Sequence, residues 1–192
     1  MVDLLINGLE KLHPIDDALK AKVASVAKIS EHKSEDYILK GGQTCDCARF
    51  IAKGLIRSYY FKGDRQVTSR FMGEGYIATS WISFYTQKPG NEYMQAVEET
   101  VIVSISYSDI QKLYREFPEF NTVVRKHLEY IFFLAEQRTQ MLRKQTAEEK
   151  YRFFITNHPT LIQRVPLRHI ASYLGMNEET LSRVRSKLKK KK

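Results

Sequence analysis

The sequence predicts an α+β protein: an N-terminal antiparallel β-sandwich or barrel, then a long helix, then a small helical C-terminal unit. Three observations predict it. Short runs of β-branched and aromatic residues separated by turn residues fill 37–106. Apolar residues recur at helical spacing over 119–143. Charge is segregated: of 31 Lys/Arg and 22 Asp/Glu in the chain, 143–192 hold 13 and 4, a balance of +9, which leaves 18 of each sign in 1–142. A neutral body with a basic end suits a polyanionic partner. The expected domains are 1–118, 119–143 and 144–192.

At the N-terminus, MVDLLINGLEKLHP has no charged segment leading into a long apolar run, so no signal peptide is expected. No stretch approaches the ~18 apolar residues of a membrane span, so a cytoplasmic protein without a membrane partner is expected. Pro14–Ile29 reads as a helix, with Pro14 in the first turn, Asp16 and Asp17 at the positive end of its dipole, and Leu19, Val23 and Val26 at helical spacing. Strands are expected at Tyr37–Leu39, Phe50–Ala52, Leu55–Phe61, Gln66–Met72, Tyr93–Val97 and Val101–Ile105. Between them lie Gly41-Gly42, Lys53-Gly54, Lys62-Gly63-Asp64 and Lys88-Pro89-Gly90-Asn91, which suits an antiparallel sandwich or barrel. The two cysteines, Cys45 and Cys47, are too few for a disulfide framework and read as reduced thiols.

After Ser106 the pattern is helical. Ser108 is placed to cap a short helix that stops near Pro118. Along the long helix Glu119–Arg143, the residues Val124, Leu128, Ile131, Ala135 and Leu142 make a coiled-coil seam with Arg138 as its polar interruption. Phe120, Val123, Phe132, Phe133 and Leu134 make other faces apolar too. Such a helix needs cover on several sides, from its own chain or from a second subunit; the seam favours a homodimer. Lys144-Gln145 reads as a hinge, Thr146-x-x-Glu149 as a capping box, and Asn157-His158-Pro159 as the end of the helix it starts.

The strongest local signal spans Val165–Leu188. Pro166 opens a short helix with Ile170, Ala171 and Leu174; Gly175 permits a tight turn; Asn177 caps a second helix with Leu181, Val184 and Leu188 inward. Helix, Gly-containing turn and helix within ~20 residues is the helix-turn-helix pattern. Glu179, Ser182, Arg183 and Arg185 fall on or beside the outer face of the second helix, where a recognition helix needs polar side chains to read base edges. Arg168 and Lys187 add cations for phosphate.

The run Ile170-Ala171-Ser172-Tyr173-Leu174-Gly175-Met176-Asn177-Glu178-Glu179-Thr180-Leu181-Ser182-Arg183 resembles the Crp/Fnr family of regulators, and the resemblance covers nearly the whole chain. It implies double-stranded DNA, on a palindromic operator, as partner, with RNA polymerase as a further one. It also implies that Glu179 and Arg183 contact bases while Asn177 and Thr180 touch phosphates. Glu178 stands where the cyclic-AMP receptor has a base-reading Arg, so a different operator is expected. The family's β wing has only Lys189–Lys192 left to form it, so the wing is expected to be truncated or absent. That run either replaces its phosphate contacts or is disordered.

The resemblance also implies a cyclic-nucleotide-binding jelly roll, to which Gly54-Leu55-Ile56-Arg57 and Gly73-Glu74-Gly75-Tyr76 are similar. Binders of that family carry a Gly-Glu pair on a short helix and, later, an Arg followed by a small hydroxyl residue. Here Ile77-Ala78-Thr79-Ser80-Trp81 and Asn91-Glu92-Tyr93-Met94-Gln95 stand instead. A buried phosphate without its cation typically loses ~2–5 kcal/mol, so cyclic AMP is not expected to bind, although Arg57 or Arg70 are cations able to substitute. The effector, if there is one, is unknown. Its candidate pocket residues are Thr79, Ser80, Trp81, Tyr85, Tyr93 and Gln95, and Trp81, Tyr85 and Tyr93 either line an apolar cavity or fill the core.

Cofactors are not expected. An iron–sulfur cluster lacks cysteines, and none of His13, His32, His127, His158 and His169 lies between Tyr37 and Ser106 to serve a cupin metal. An enzyme is therefore not expected. The alternative is a ligand-binding jelly-roll module whose basic end docks on a protein or anionic surface.

Overall fold

The computed structural model describes residues 1–189. It divides into two compact units: residues 1–58 with 71–130, and residues 59–70 with the chain from Ile131 onward.

The first unit opens with α1 (Val2–Glu10), whose Leu5 and Leu9 enter the core. No helix was expected here, although Leu5, Leu9 and Leu12 share one face and Asp3 sits in the first turn. Next comes α2 (Asp17–Val26), capped by the Asp16 carboxylate, which accepts the Leu19 amide at 2.7 Å. The expected helix Pro14–Ile29 is thus too long at both ends. The chain turns extended at Ala27, and β1 (Lys28–His32) pairs antiparallel with β8 (Thr100–Ser106), from Lys28 opposite Ser104 to His32 opposite Thr100. Pairing with a sheet edge overrides a local pattern that reads equally well as a fourth helical turn.

The remaining strands are β2 (Tyr37–Leu39), β3 (Cys47–Lys53), β4 (Ile56–Lys62), β5 (Arg65–Met72), β6 (Ile77–Ala78) and β7 (Tyr93–Ala96). They form two four-stranded sheets, β1-β8-β3-β6 and β2-β7-β4-β5. The expected strands are all present, some longer by a few residues. Side chains alternate between faces: Ile51 and Ile102 are fully enclosed, while Ala48 and Phe50 on β3 stand opposite Ile105 and Val103 on β8. Gly54 holds φ +96° in the β3–β4 turn, where a Cβ would sit 2.4 Å from the Glu99 carbonyl oxygen, so the close backbone approach requires glycine.

A short helix, α3 (Trp81–Thr86), interrupts the strands, and α4 (Tyr107–Glu116) follows them. The cap of α4 is Ser106 rather than Ser108: its hydroxyl accepts the Asp109 amide at 3.1 Å and donates to the Asp109 carboxylate at 2.6 Å. The strand runs straight into the helix, so the last strand residue takes the capping role.

The long helix α5 (Pro118–Lys144) buries Phe120, Val123 and Met141. Of the expected seam, Val124, Leu128, Ile131 and Leu142 are half-buried and Ala135 is exposed. Phe132 and Phe133 are 72% and 55% exposed. Beyond it lie α6 (Ala147–Asn157), α7 (Leu161–Arg164), α8 (Leu167–Tyr173) and α9 (Glu178–Lys189). The Thr146–Glu149 capping box at the start of α6 is present in both directions. Tyr151, Phe154, Leu161, Ile170, Leu174 and Leu181 are buried in this second unit. Among the described residues no helix is long and apolar enough to cross a membrane. Of the lysine run, Lys189 ends α9 and Lys190–Lys192 lie outside the described residues, so the expectation about a wing or tail does too.

Candidate nucleic-acid interface

The basic second unit builds its outer helix on a capped turn. Gly175, at φ +67°, links α8 to α9 and carries Met176, whose amide donates to the Ala171 carbonyl at 3.0 Å. A Cβ on Gly175 would meet Leu142 Cδ2 at 3.3 Å, so glycine answers both the left-handed conformation and the close packing. Asn177 Oδ1 then accepts the Thr180 amide at 2.7 Å and caps α9. Leu181 is wholly buried, with Val184 and Leu188 half-buried beside it. This inward row sets the outward one.

Ser182, Arg183, Ser186 and Lys187 line one shallow surface hollow on α9. Glu179 and Arg183 are both exposed and form an ion pair one turn apart. Lys187 is bonded to Glu148 at 3.0 Å, and Arg152 shares that carboxylate at 3.0 Å. Exposed pairs of this kind are worth little, so they hold the cations in place without withdrawing them from an incoming phosphate. Asn177 is exposed and Thr180 half-buried at the start of the helix; Arg185 is half-buried, and Arg168 stands exposed on α8. Glu179, Ser182, Arg183 and Lys187 thus share one face, Arg185 flanks it, and Arg168 comes from the preceding helix.

The six pocket candidates have these surroundings. The Thr79 hydroxyl donates to the Cys47 carbonyl at 3.1 Å, and Ser80 is buried at the start of α3. Gln95 accepts from Arg57 at 3.2 Å and donates to the Glu35 carbonyl at 3.0 Å. Tyr93 packs over Gly41 and edge-on to Tyr37. Trp81 and Tyr85 share a cavity, where their rings stack at 6.0 Å. Its other walls come from α1, β3, β8, α4 and α5. Sequence reasoning missed His127 there, a polar residue on an apolar face of α5. Burial pushes its imidazole below the usual histidine range and pushes the Tyr114 phenol up to about 12, with Tyr85 as its hydrogen-bond partner. The Cys47 thiol is likewise raised to about 12 by burial, which suits an unreactive thiol. Among the described residues no group of three His, Cys, Asp or Glu side chains is placed to hold a metal ion.

Residues 30–117 match the family model of the cyclic nucleotide-binding domain. No curated protein matches the chain. Solved structures do. FixK2 from Bradyrhizobium japonicum is 19% identical, with 86% of each chain covered and a TM-score of 0.73. A CooA variant from Carboxydothermus hydrogenoformans is 18% identical, over 95% of this chain and 84% of that one, with a TM-score of 0.71. CLP of Xanthomonas campestris, a global regulator responsive to c-di-GMP, is 12% identical, over 92% and 93%, with a TM-score of 0.75. Residues 30–117 are thus similar to a cyclic nucleotide-binding domain, and the chain shares the fold of FixK2 and CooA.

Proposed function

We propose that this chain is a dimeric, sequence-specific DNA-binding transcription regulator of the Crp/Fnr type, acting in the cytoplasm. In this reading α8 and α9 are its helix-turn-helix. Arg183 and Glu179 read base edges; Ser182 and Arg185 flank them; Asn177, Thr180, Arg168 and Lys187 contact phosphates. The observation that carries it is the exposed polar row on the capped N-terminal half of α9, in the last 50 residues, which hold the whole positive balance. The face of α5 with Phe132 and Phe133 is the dimer surface, which makes the operator two-fold symmetric. RNA polymerase is the further partner. The three parts are residues 1–118, 119–143 and 144–192. Salt-dependent binding to duplex DNA, with and without a palindrome, tests this. Equal affinity for both would favour a basic module that docks on any anionic surface.

The nucleotide pocket is degenerate in this reading. Glu92 and Tyr93 stand where a phosphate needs a cation, and the buried Arg57 is already bonded to Gln95. Calorimetric titration with cyclic AMP is expected to show no binding tighter than about 10 µM, the equivalent of roughly −7 kcal/mol. A tighter constant would restore a nucleotide-sensing role.

A further inference from the structure

The cavity beside α3 lies on the face of β3 and β8 that carries Ala48, Phe50, Val103 and Ile105, away from Ile51 and Ile102. It is therefore a different space from the interior between the two sheets. Its volume is about 70 Å³, and its wall is almost wholly apolar. Two buried polar atoms break that wall without any hydrogen-bond partner: Trp81 Nε1 and His127 Nε2, on rings 6.2 Å apart. A buried donor left unmade is costly, and native folds seldom tolerate two of them side by side. The other polar groups of the wall, the Tyr85 and Tyr114 phenols, satisfy each other.

We propose that this cavity is a binding site for a compact, uncharged, apolar molecule bearing one hydroxyl, held between Trp81 and His127. The indole N–H is a donor only, so the ligand atom facing it must accept. A hydroxyl accepts from Trp81 and, with its own hydrogen, serves His127; it equally accepts from His127 in the other tautomer. An anion or cation would be desolvated with no opposite charge in the wall, which excludes nucleotides and carboxylates. An engineered cavity of ~150 Å³ takes benzene, about twice the volume here, so a single small ring enters only as the wall yields. Tyr85, half exposed, forms the solvent side and is the side chain that yields to let a ligand in. The site does not depend on the reading of α9.

Trp81 is the only tryptophan, so its indole N–H gives a single resonance in the ¹⁵N-labelled full chain. The probes are phenol and its near-isostere toluene. Phenol is expected to shift that resonance saturably. Toluene should bind about tenfold more weakly, the worth of a hydrogen bond, and leave the indole resonance near its free position. Ala48→Leu, which fills the cavity, should abolish phenol binding with the melting transition retained. If that variant does not fold, Val124→Phe makes the same test from α5. His127→Leu should narrow the gap between phenol and toluene, leaving phenol only its hydrogen bond from Trp81. No saturable shift with phenol by about 10 mM, or phenol binding that survives cavity filling, overturns the site. Equal binding of both probes to the unchanged chain overturns the hydroxyl assignment. None of these readouts uses DNA, so they fail or succeed independently of the regulator reading.

Discussion

The Arg138 guanidinium lies over the ring of Tyr173, 3.9 Å from its centroid. From there Arg138 Nη2 donates to the Thr68 carbonyl at 3.2 Å. The neighbouring Ser172 hydroxyl accepts the Thr68 amide at 2.9 Å and donates to the Gln66 carbonyl at 3.0 Å. Residues 59–70, the tip of the β4–β5 hairpin, are thereby tied to the helix that precedes the Gly175 turn. Arg138 breaks the apolar seam of α5 because it serves this contact within its own chain. Arg138→Lys keeps the charge but loses the planar stack. It is expected to cost about 1 kcal/mol in urea unfolding, the scale of a cation–π contact. Ser172→Ala should speed hydrogen exchange at the Thr68 amide selectively. Unchanged exchange there would mean that the contact is not made in solution.

Asn177 caps the helix that carries the exposed polar row. Asn177→Ala should destabilise by about 1 kcal/mol, whereas Asn177→Ser should lose only a few tenths. If Asn177 also touches phosphate, DNA affinity should fall for both variants by similar factors on specific and non-specific duplexes. Thermal unfolding and duplex titration, run on the same three proteins, separate the cap from the contact.

Stability should fall as the solution is acidified below neutrality. Burial holds His127 and His158 below their ordinary value of 6.5, so between the folded and unfolded values the unfolded chain binds more protons. The contribution is full above about 6.5 and is lost as pH falls from there through the lower folded value. Urea midpoints between pH 8 and pH 5 check the sign. His127→Phe should flatten part of the decline; a profile that it leaves unchanged would place the loss on His158 or elsewhere.

The exposed Phe132 and Phe133 predict self-association. Light scattering at tens of micromolar should give a dimer, and Phe132→Glu should give a monomer of the same helix content. A monomeric unchanged chain would remove the two-fold operator from the account.

The strands and the capped helices were legible because their signals are local. Lys53-Gly54 and Gly175 mark turns that backbone geometry forces, and Thr146, Glu149 and Asn177 bond within one helical turn. What stayed hidden depends on distant partners. Ile29 became part of a strand only because β8 offers an edge, and α1 was missed although its leucines share a face. Trp81 and His127 are 46 positions apart in sequence, and nothing in the chain announces that their rings meet across one cavity. The seam was read for its spacing, yet Val124 turns toward that cavity and Leu142 toward Gly175, while Phe132 and Phe133 are the uncovered residues.

Whether α9 reads DNA sequence through Arg183 is decided by paired titrations of the full chain and Arg183→Ala. The duplexes are a palindrome selected from random sequence by the protein itself and a scrambled duplex of equal length, both at about 150 mM salt. The unchanged chain should prefer the palindrome by about 10³-fold or more. Arg183→Ala should lose ~1–3 kcal/mol on the palindrome and almost nothing on the scrambled duplex. Equal affinity for the two duplexes, or equal losses on both, would contradict it and leave α9 as a basic surface without sequence discrimination.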